Sequence, residues 1–134
     1  MNQEEPSSRP RILIADDHQL VLERVQALLN SAFDVIGSAH NGRELVSEAM
    51  RLHPDVIVAD ISMPEVDGIQ AARQLRKNGS TAKVVFLTIH VEDEFVEACR
   101  AEGALGYVAK KHMKSDLIPA IHAALSNRSF VSQN

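Results

Sequence analysis

The sequence predicts a single α/β domain, in which a parallel β-sheet is sandwiched between amphipathic helices. Three observations support this fold class. Five short apolar runs alternate with five amphipathic segments along the chain. Four of these runs are rich in β-branched residues and show continuous rather than alternating hydrophobicity, as expected of parallel strands buried on both faces. The length of 134 residues is enough for one hydrophobic core and leaves little room for a second domain.

The apolar runs predict five strands, and the segments between them predict helices. In chain order the predicted strands are Ile12–Ala15, Phe33–Ala39, Val56–Ala59, Val84–Thr88 and Tyr107–Ala109. Apolar residues at helical spacing give each intervening segment one face that can pack on the sheet. Four such stripes comprise Val21, Val25, Leu28 and Leu29; Leu45, Ala49 and Leu52; Ile69, Ala72 and Leu75; and Leu117, Ile121, Ala124 and Leu125. A fifth helix, Val91–Glu102, is predicted from a thinner stripe.

Polar and conformationally special residues predict where the helices begin and end. Asn41 followed by Glu44 is typical of a capping box, in which each side chain accepts a hydrogen bond from a free backbone N–H group. Ser115–Asp116 predicts the start of the final helix, with Pro119 still in the first turn, where its missing N–H group costs least. Asn78–Gly79 follows the third stripe and predicts a stop in the left-handed conformation.

The composition of the chain restricts its function. With 14 Lys and Arg residues against 18 Asp and Glu residues, the formal net charge is −4, which argues against direct nucleic-acid binding. The one cysteine, Cys99, suits a reducing compartment. No apolar run is long enough to span a membrane, and residues 1–10 lack the apolar stretch of a signal peptide. We therefore expect a cytoplasmic domain that follows a disordered tail at residues 1–10.

Polar residues stand at the ends of four of the five predicted strands. Asp16 and Asp17 follow the first strand, and Asp60 follows the third. Thr88 ends the fourth strand, and Lys110 follows the fifth. The carboxyl ends of parallel strands share one edge of the sheet, where the functional crevice of such folds lies. Three carboxylates in one crevice repel each other unless a cation lies among them, and oxygen ligands suit Mg²⁺. The sequence therefore predicts a Mg²⁺ site at this edge.

Each of these residues also has a purely structural interpretation. A single Asp after a strand usually caps a helix or stabilises a turn. Thr88 could simply end a strand, and Lys110 could form a solvated pair with Lys111. Cys99 on a helical stripe is more typical of a small core residue than of a reactive thiol. The histidines show no metal-binding spacing, which argues against a histidine-built metal site; they are His18, His40, His53, His90, His112 and His122.

Four strings, ILIADDH, DVIVADISMPEVDG, VVFLT and GALGYVAK, together resemble the receiver domains of two-component response regulators. The resemblance covers residues 11–127, after which residues 128–134 correspond to the start of a linker or a C-terminal tail. It implies a doubly wound (βα)5 sandwich of the flavodoxin- or CheY-like type, with a parallel sheet of order 2-1-3-4-5. It also implies a phosphoacceptor signalling domain rather than an enzyme, with self-phosphorylation from small phosphodonors and autodephosphorylation as accompanying reactions.

The resemblance assigns a role to each residue at the predicted edge. It implies that Asp60 is the phosphoacceptor, which takes a phosphoryl group from a sensor histidine kinase. Asp17 is implied to ligate Mg²⁺ directly and Asp16 mostly through water. Asp60 itself and the backbone carbonyl of Ser62 would complete the protein ligands. Lys110 is implied to pair with a phosphoryl oxygen. Phosphoryl transfer needs in-line placement and neutralised charge, which a metal ion and a lysine supply.

Two further residues are implied to respond to phosphorylation. Thr88 would hydrogen-bond to the phosphoryl group, and Tyr107 would be the aromatic residue that turns inward with it. Since Thr88 has a short hydroxyl arm on a stiff stem, its backbone must follow its side chain, which could bias a loop and a helix. Val91–Glu102 is the predicted mobile segment. Tyr107 could equally be a half-buried aromatic residue at a sheet edge.

Two features resemble the NarL/FixJ-type subfamily of these regulators. Lys111 stands where receiver domains commonly have a proline, so a trans peptide bond is expected there. Leu117–Asn134 resembles the last helix and opening linker of regulators in which a DNA-binding helix-turn-helix domain follows. The resemblance implies transcription regulation through an output domain absent from this chain, and it leaves open whether the protein forms a homodimer. Phe130–Val131 is an apolar pair with no obvious packing partner.

Three other functions are alternatives at this point. A stand-alone receiver would act in a phosphorelay or bind a protein target. A Mg²⁺-dependent phosphatase would use Asp60 as its nucleophile, but haloacid-dehalogenase-like phosphatases have a second Asp two positions on, where this chain has Ser62. A degenerate receiver would serve only as a dimerisation surface, which the presence of all five site residues disfavours.

Overall fold

The computed structural model describes residues 9–89 and 93–133. Strands and helices alternate along the chain, as the apolar runs and stripes predict. The strands are β1 (Arg11–Ala15), β2 (Asp34–Ala39), β3 (Val56–Ala59), β4 (Lys83–Thr88), β5 (Gly106–Ala109) and β6 (Phe130–Val131). The helices are α1 (Gln19–Leu29), α2 (Gly42–Leu52), α3 (Gly68–Lys77), α4 (Asp93–Ala101) and α5 (Met113–Leu125), with a 3-10 turn at Lys110–His112.

The strands form one parallel sheet in the order β2-β1-β3-β4-β5-β6. This order confirms the predicted doubly wound fold, and it adds one short strand outside β5. The winding reverses between β1 and β3, which are neighbours in the sheet but not consecutive strands in the chain. The crevice outside their carboxyl ends is the place where doubly wound sheets hold their functional groups.

Apolar side chains form one core on each face of the sheet. The first core packs α1 and α5 against the sheet and includes the fully buried Leu29 and Ile121. The second core packs α2, α3 and α4 against the other face and includes Phe86. Successive strand residues point to opposite faces, so Leu13 belongs to the second core and Ile14 to the first. The strands β3 and β5 are buried at every residue and contain no charged residue, whereas the edge strand β2 is only partly buried and contains Asp34.

Cys99 is a core residue, as its place on a helical stripe predicts. It is 2% exposed and belongs to the second core. Burial raises the pKa of the Cys99 thiol to about 12, and the negative charge of Asp67 contributes to the increase. The thiol is therefore protonated at neutral pH and unreactive.

The start of α2 has only half of the predicted capping box. The Asn41 side chain accepts a hydrogen bond from the backbone N–H of Glu44 at 2.8 Å. The Glu44 carboxylate, however, accepts from the N–H of His40, one residue before the expected donor, also at 2.8 Å. A complete capping box occurs instead at α3, where Asp67 and Gln70 each accept from the other's backbone N–H.

The final helix begins earlier than the sequence predicts. It starts at Met113, because the preceding 3-10 turn leads directly into it, and Pro119 therefore lies in the second turn rather than in the first. Ser115 donates to the carbonyl of His112 instead of capping the helix. The Asp116 carboxylate has a partner from a distant part of the chain, the Ser132 hydroxyl, at 2.7 Å.

The expectation that Phe130–Val131 lacks a packing partner is wrong. The pair forms β6, which extends the sheet alongside β5, and Phe130 packs against the first core. Ser132 fixes this strand, because its hydroxyl accepts a hydrogen bond from the Ala109 N–H at 3.1 Å and donates to Asp116. An ordered strand thus lies within residues 128–134, the predicted linker or tail.

Two predicted segments fall partly outside the described residues. The predicted tail at 1–10 is described only at residues 9 and 10. Of the predicted helix Val91–Glu102, the first two residues lie outside the described residues, and α4 from Asp93 to Ala101 confirms that a helix is present. Within the described residues, every helix is too short or too polar to cross a membrane.

Candidate functional site

The sheet itself places two acidic residues side by side. The backbone N–H of Asp16 donates to the Ala39 carbonyl, and that of Asp60 donates to the Ala15 carbonyl, each at 3.0 Å. These bonds continue the hydrogen bonding of the sheet one residue past β1 and past β3. Asp16 is 2% exposed and Asp60 is 4% exposed. Two nearly buried carboxylates are therefore held next to each other by strand register and not by a loop.

Lys110 reaches both carboxylates from the end of β5. Its Nζ atom lies 2.9 Å from Oδ2 of Asp16 and 3.2 Å from Oδ2 of Asp60. The lysine side chain is 16% exposed, whereas Lys111 faces solvent. The two lysines are therefore not a solvated pair, and Lys110 is the cation of the crevice.

Burial and mutual repulsion determine how this group is charged. Burial raises the pKa of Asp60, and the negative charge of Asp16 adds to the increase, while Lys110 opposes it. Burial also lowers the pKa of Lys110, but the hydrogen bond to Asp16 and the charges of both carboxylates outweigh that effect, so the pKa is raised. Lys110 is therefore charged at neutral pH, and it offsets only part of the negative charge around it.

Asp17 and His18 extend the acidic cluster towards solvent. One possible ligand atom from each of Asp16, Asp17, His18 and Asp60 lies within 4.8 Å of the others. The Asp17 side chain is 29% exposed and the His18 side chain is 69% exposed. The His18 Nδ1 atom lies 3.2 Å from Oδ1 of Asp16 and 3.1 Å from Oδ1 of Asp17. The cluster is thus buried at Asp16 and Asp60 and open at Asp17.

A glycine after the third strand lets α3 lie close to the phosphoacceptor candidate. A Cβ atom at Gly68 would come within 2.2 Å of the Asp60 carbonyl oxygen, so any side chain would force the backbone apart. The Gly68 N–H donates to the Ile61 carbonyl at 2.8 Å. The Ser62 N–H donates to Oδ1 of Asp60 at 3.3 Å. Two hydrogen bonds therefore hold the loop that follows Asp60.

Thr88 and Tyr107 lie on the two strands beside the acidic cluster. Thr88 is fully buried at the end of β4 and pairs in register with Ala109, the residue before Lys110. Tyr107 is 2% exposed and belongs to the second core. Because β6 lies outside β5, the interpretation of Tyr107 as a half-buried residue at a sheet edge is wrong. Both side chains are buried; Tyr107 lies three residues before Lys110 in the chain, and Thr88 is next to the same strand end through its pairing with Ala109.

The donor set of the cluster fits a hard divalent cation. Three carboxylates and one lysine leave an excess of negative charge. Mg²⁺ prefers oxygen ligands and retains several waters, and the exposed side of Asp17 leaves room for them. The carboxylates of Asp16, Asp17 and Asp60 are the side chains that would hold such an ion.

These features define a parallel α/β domain with an acidic, lysine-containing crevice at the reversal point of its sheet. A family profile described as "Response regulator receiver domain" matches residues 12–122. The chain therefore belongs to the receiver domain family of two-component response regulators.

The relatives of the chain include response regulators and transcriptional regulatory proteins. It is 38% identical over 116 residues to the transcriptional regulatory protein LiaR of Bacillus subtilis, covering 85% of this chain and 55% of LiaR. It is 31% identical over 135 residues to the nitrate/nitrite response regulator protein NarL of Escherichia coli, covering 99% of this chain and 61% of NarL. The chain thus spans little more than half the length of these relatives.

A similar solved structure agrees with the sequence comparison. It is a two-component response regulator of the LuxR family from Aurantimonas sp. SI85-9A1, with a TM-score of 0.88 and 31% sequence identity. The match covers 93% of this chain and 91% of that chain. This likeness confirms the predicted family and subfamily.

The structure brings the predicted charged residues together and adds one that sequence reasoning missed. Asp16, Asp17, Asp60 and Lys110 all meet in the crevice. The sequence does not predict a role for His18, because the histidines show no metal-binding spacing among themselves. Its position directly after two acidic residues was the available signal, since three consecutive residues at a strand end share one loop.

Proposed function

We propose that Asp60 accepts a phosphoryl group from a sensor histidine kinase or from a small acyl phosphate. The contact between Asp60 and Lys110 at 3.2 Å, in a crevice with two further carboxylates, is the observation that supports this role most directly. A buried carboxylate beside a fixed cation combines the nucleophile with the positive charge that phosphoryl transfer needs.

In the proposed reaction, a carboxylate oxygen of Asp60 attacks the phosphorus atom of the donor. An O–P bond forms as the bond from phosphorus to the donor's histidine nitrogen breaks, and that nitrogen keeps the electron pair. The charge of Lys110 favours the ionised form of Asp60, and its ammonium group donates a hydrogen bond to an oxygen of the transferred group. The carboxylates of Asp16, Asp17 and Asp60 and the backbone carbonyl of Ser62 would hold Mg²⁺, which would supply positive charge to offset repulsion between the phosphoryl group and the carboxylates.

The proposed response starts at the end of β4. The Thr88 hydroxyl hydrogen-bonds to the phosphoryl group, and the backbone of Thr88 moves with its stiff side chain. Register pairing of Thr88 with Ala109 would carry this movement to β5, the strand that contains Tyr107. The segment Val91–Glu102, which follows β4, is the part of the chain that we propose changes position.

We also propose that the response controls transcription in the cytoplasm through a DNA-binding output domain outside this chain. Two observations support this role. Relatives such as LiaR carry the name of transcriptional regulatory proteins, and this chain covers only 55% of LiaR. The net charge of −4 also favours DNA contacts by some other domain, because phosphate attraction needs a basic surface.

Intact-mass measurement after incubation with acetyl phosphate and Mg²⁺ tests the phosphoacceptor role. The chain offers a matched control, because Asp55 lies at the opposite end of β3 and its carboxylate accepts a hydrogen bond from the Arg11 N–H at 2.8 Å. We expect one added phosphoryl group on the parent and on Asp55→Asn, and none on Asp60→Asn. Equal labelling of Asp60→Asn would overturn the proposal. Repeated release of phosphate from an unrelated phosphoester would instead support the phosphatase alternative.

A further inference from the structure

His18 adds a nitrogen donor to a cluster that otherwise offers only oxygen. We propose that His18 is a metal-selectivity residue, whose imidazole strengthens the binding of Mn²⁺, Co²⁺ and Zn²⁺ relative to Mg²⁺. The inference rests on the proposed function in one respect, namely that the cation of the site lies among Asp16, Asp17 and Asp60.

The distances around His18 match the spacing of neighbouring metal ligands. With metal–ligand bonds of about 2.1 Å, adjacent ligands of an octahedral ion lie about 3.0 Å apart. The His18 Nδ1 atom lies 3.2 Å from Oδ1 of Asp16 and 3.1 Å from Oδ1 of Asp17. An ion that binds the Asp17 carboxylate would therefore have the imidazole within reach, with small side-chain adjustments only.

The backbone holds His18 in this position. His18 is the N-cap residue of α1, and its carbonyl accepts hydrogen bonds from the N–H groups of Val21 and Leu22 at 3.0 and 3.2 Å. Its own N–H donates to Oδ1 of Asp16 at 2.9 Å. The ring, in contrast, is 69% exposed, so a hydrated ion can approach it from solvent. The fixed backbone and the exposed ring together suit a ligand that binds without rearrangement of the fold.

The effect on selectivity follows from ligand softness. Mg²⁺ gains little from an imidazole in place of a water, because it prefers hard oxygen ligands. Imidazole suits the later first-row ions, whose affinity for a nitrogen-containing site rises from Mn²⁺ through Co²⁺ and onwards. His18 therefore raises the affinity of the site for transition metals more than its affinity for Mg²⁺.

A second histidine provides a matched control. His40 lies on the neighbouring loop, where its Nε2 atom is 3.0 Å from Oε1 of Gln19 and its Nδ1 atom is 3.3 Å from Oε1 of Glu44. It is about half exposed, like a typical surface histidine, and has one carboxylate near it and not three. Any metal binding that reflects exposed histidines in general would respond to the loss of His40 as well.

Titration calorimetry with Co²⁺ and with Mg²⁺ tests the inference, supported by the visible absorption of bound Co²⁺. We expect His18→Phe to lower the Co²⁺ affinity about tenfold and to change the spectrum of bound Co²⁺, while the Mg²⁺ affinity changes less than about twofold. His18→Gln, which replaces nitrogen with oxygen, should lose Co²⁺ affinity in the same way. His40→Phe should match the parent.

Unchanged Co²⁺ affinity in His18→Phe would overturn the inference, and so would an equal loss of affinity for both metals. These outcomes are separate from the phosphoacceptor test, because labelling of Asp60 in Mg²⁺ does not require an imidazole ligand. If His18→Phe is labelled normally and still binds Co²⁺ as tightly as the parent, only the selectivity role fails.

Discussion

The two ends of strand β3 each have an aspartate, and the two residues differ in their surroundings. At the amino end, Asp55 accepts a hydrogen bond from the Arg11 N–H through its side chain and from the Lys83 N–H through its carbonyl. At the carboxyl end, Asp60 shares one lysine with Asp16. Asp55 is thus a structural residue, because its side chain and its carbonyl both have hydrogen-bond donors. Asp60, in contrast, lies where the negative charge of the carboxylates exceeds the positive charge of the lysine.

The helices show the same difference. Beyond the carboxyl end of α4, on the side of the sheet's amino end, Glu102 is paired with two cations. Its Oε2 atom lies 2.9 Å from Arg73 and its Oε1 atom lies 3.1 Å from Arg76. The hydrogen bond from Arg73 lowers the pKa of Glu102, whereas burial raises the pKa of Asp60. The charge of an acidic residue that pairs with two arginines is balanced, whereas three acidic residues that share one lysine keep an excess of negative charge.

The largest expected effect is that of a glycine-to-alanine substitution at the start of α3, compared with the same substitution just after its end. Gly68→Ala should destabilise the fold by about 3 kcal/mol, because its Cβ would meet the backbone of Asp60 at 2.2 Å. Gly79→Ala should cost about 1 kcal/mol, because Gly79 has a φ of 86° but open space around it. Urea unfolding of both variants measures the difference. Similar costs for the two variants would show that α3 can move away from Asp60 easily.

An intermediate effect on stability is expected from substituting, in metal-free buffer, each of the two aspartates that flank β3. Asp60→Asn should stabilise the fold by on the order of 1 kcal/mol at neutral pH, because it removes a buried charge beside Asp16. Asp55→Ala should destabilise it by about 1 kcal/mol, because the Arg11 N–H loses its acceptor. Thermal and urea unfolding should therefore give shifts of opposite sign.

The pH dependence of the Asp60 variant distinguishes this charge effect from a packing effect. Since the folded-state pKa of Asp60 is raised, the folded protein holds the proton more tightly than the unfolded chain does. The stabilisation that comes from this proton is present below the pKa that Asp60 has in the unfolded chain. It is lost as the pH rises through the pKa that Asp60 has in the folded protein. The advantage of Asp60→Asn should thus grow from acidic to neutral pH, and added Mg²⁺ should reduce it. An advantage that is independent of pH would contradict this explanation.

The smallest expected effect concerns Glu102. Glu102→Gln should destabilise the fold by about 0.5 kcal/mol at neutral pH, since its partner arginines are half exposed and screened by solvent. Because the folded-state pKa of Glu102 is lowered, this contribution is present above its ordinary value of 4.5 and is lost as the pH falls through the folded pKa. Urea unfolding at neutral and acidic pH measures it. Glu97→Gln, which removes an exposed single pair with Arg100, should have no measurable effect.

The sequence predicted the sheet and the charged crevice well, because both depend on local signals. Strands buried on both faces must be apolar over their whole length, and parallel strands place their carboxyl ends at one edge. The positions of Asp16, Asp60 and Lys110 directly after three such strands were therefore enough to predict that they meet. The stop at Gly79, with its φ of 86°, follows from the same kind of local rule.

The features that sequence reasoning missed depend on contacts between distant parts of the chain. Strand β6 has only two residues, and its pairing with β5 cannot be read from periodicity. Asp116 resembles a helix-start residue, but its partner is Ser132. Glu44 is an exception, since its partner His40 is only four residues away, and loop geometry rather than residue spacing decides which N–H group is within reach.

The Ser132 hydroxyl connects the end of the described chain to the strand that leads into Lys110. It accepts from the Ala109 N–H at 3.1 Å, one residue before that lysine, and donates to Asp116 at 2.7 Å. The Ser132 N–H also donates to the Tyr107 carbonyl at 2.9 Å, so tension applied to the backbone after Ser132 would pass to β5 both through this backbone bond and through the hydroxyl. In mechanical terms, β6 is a short tether that joins the end of the described chain to the strand before Lys110.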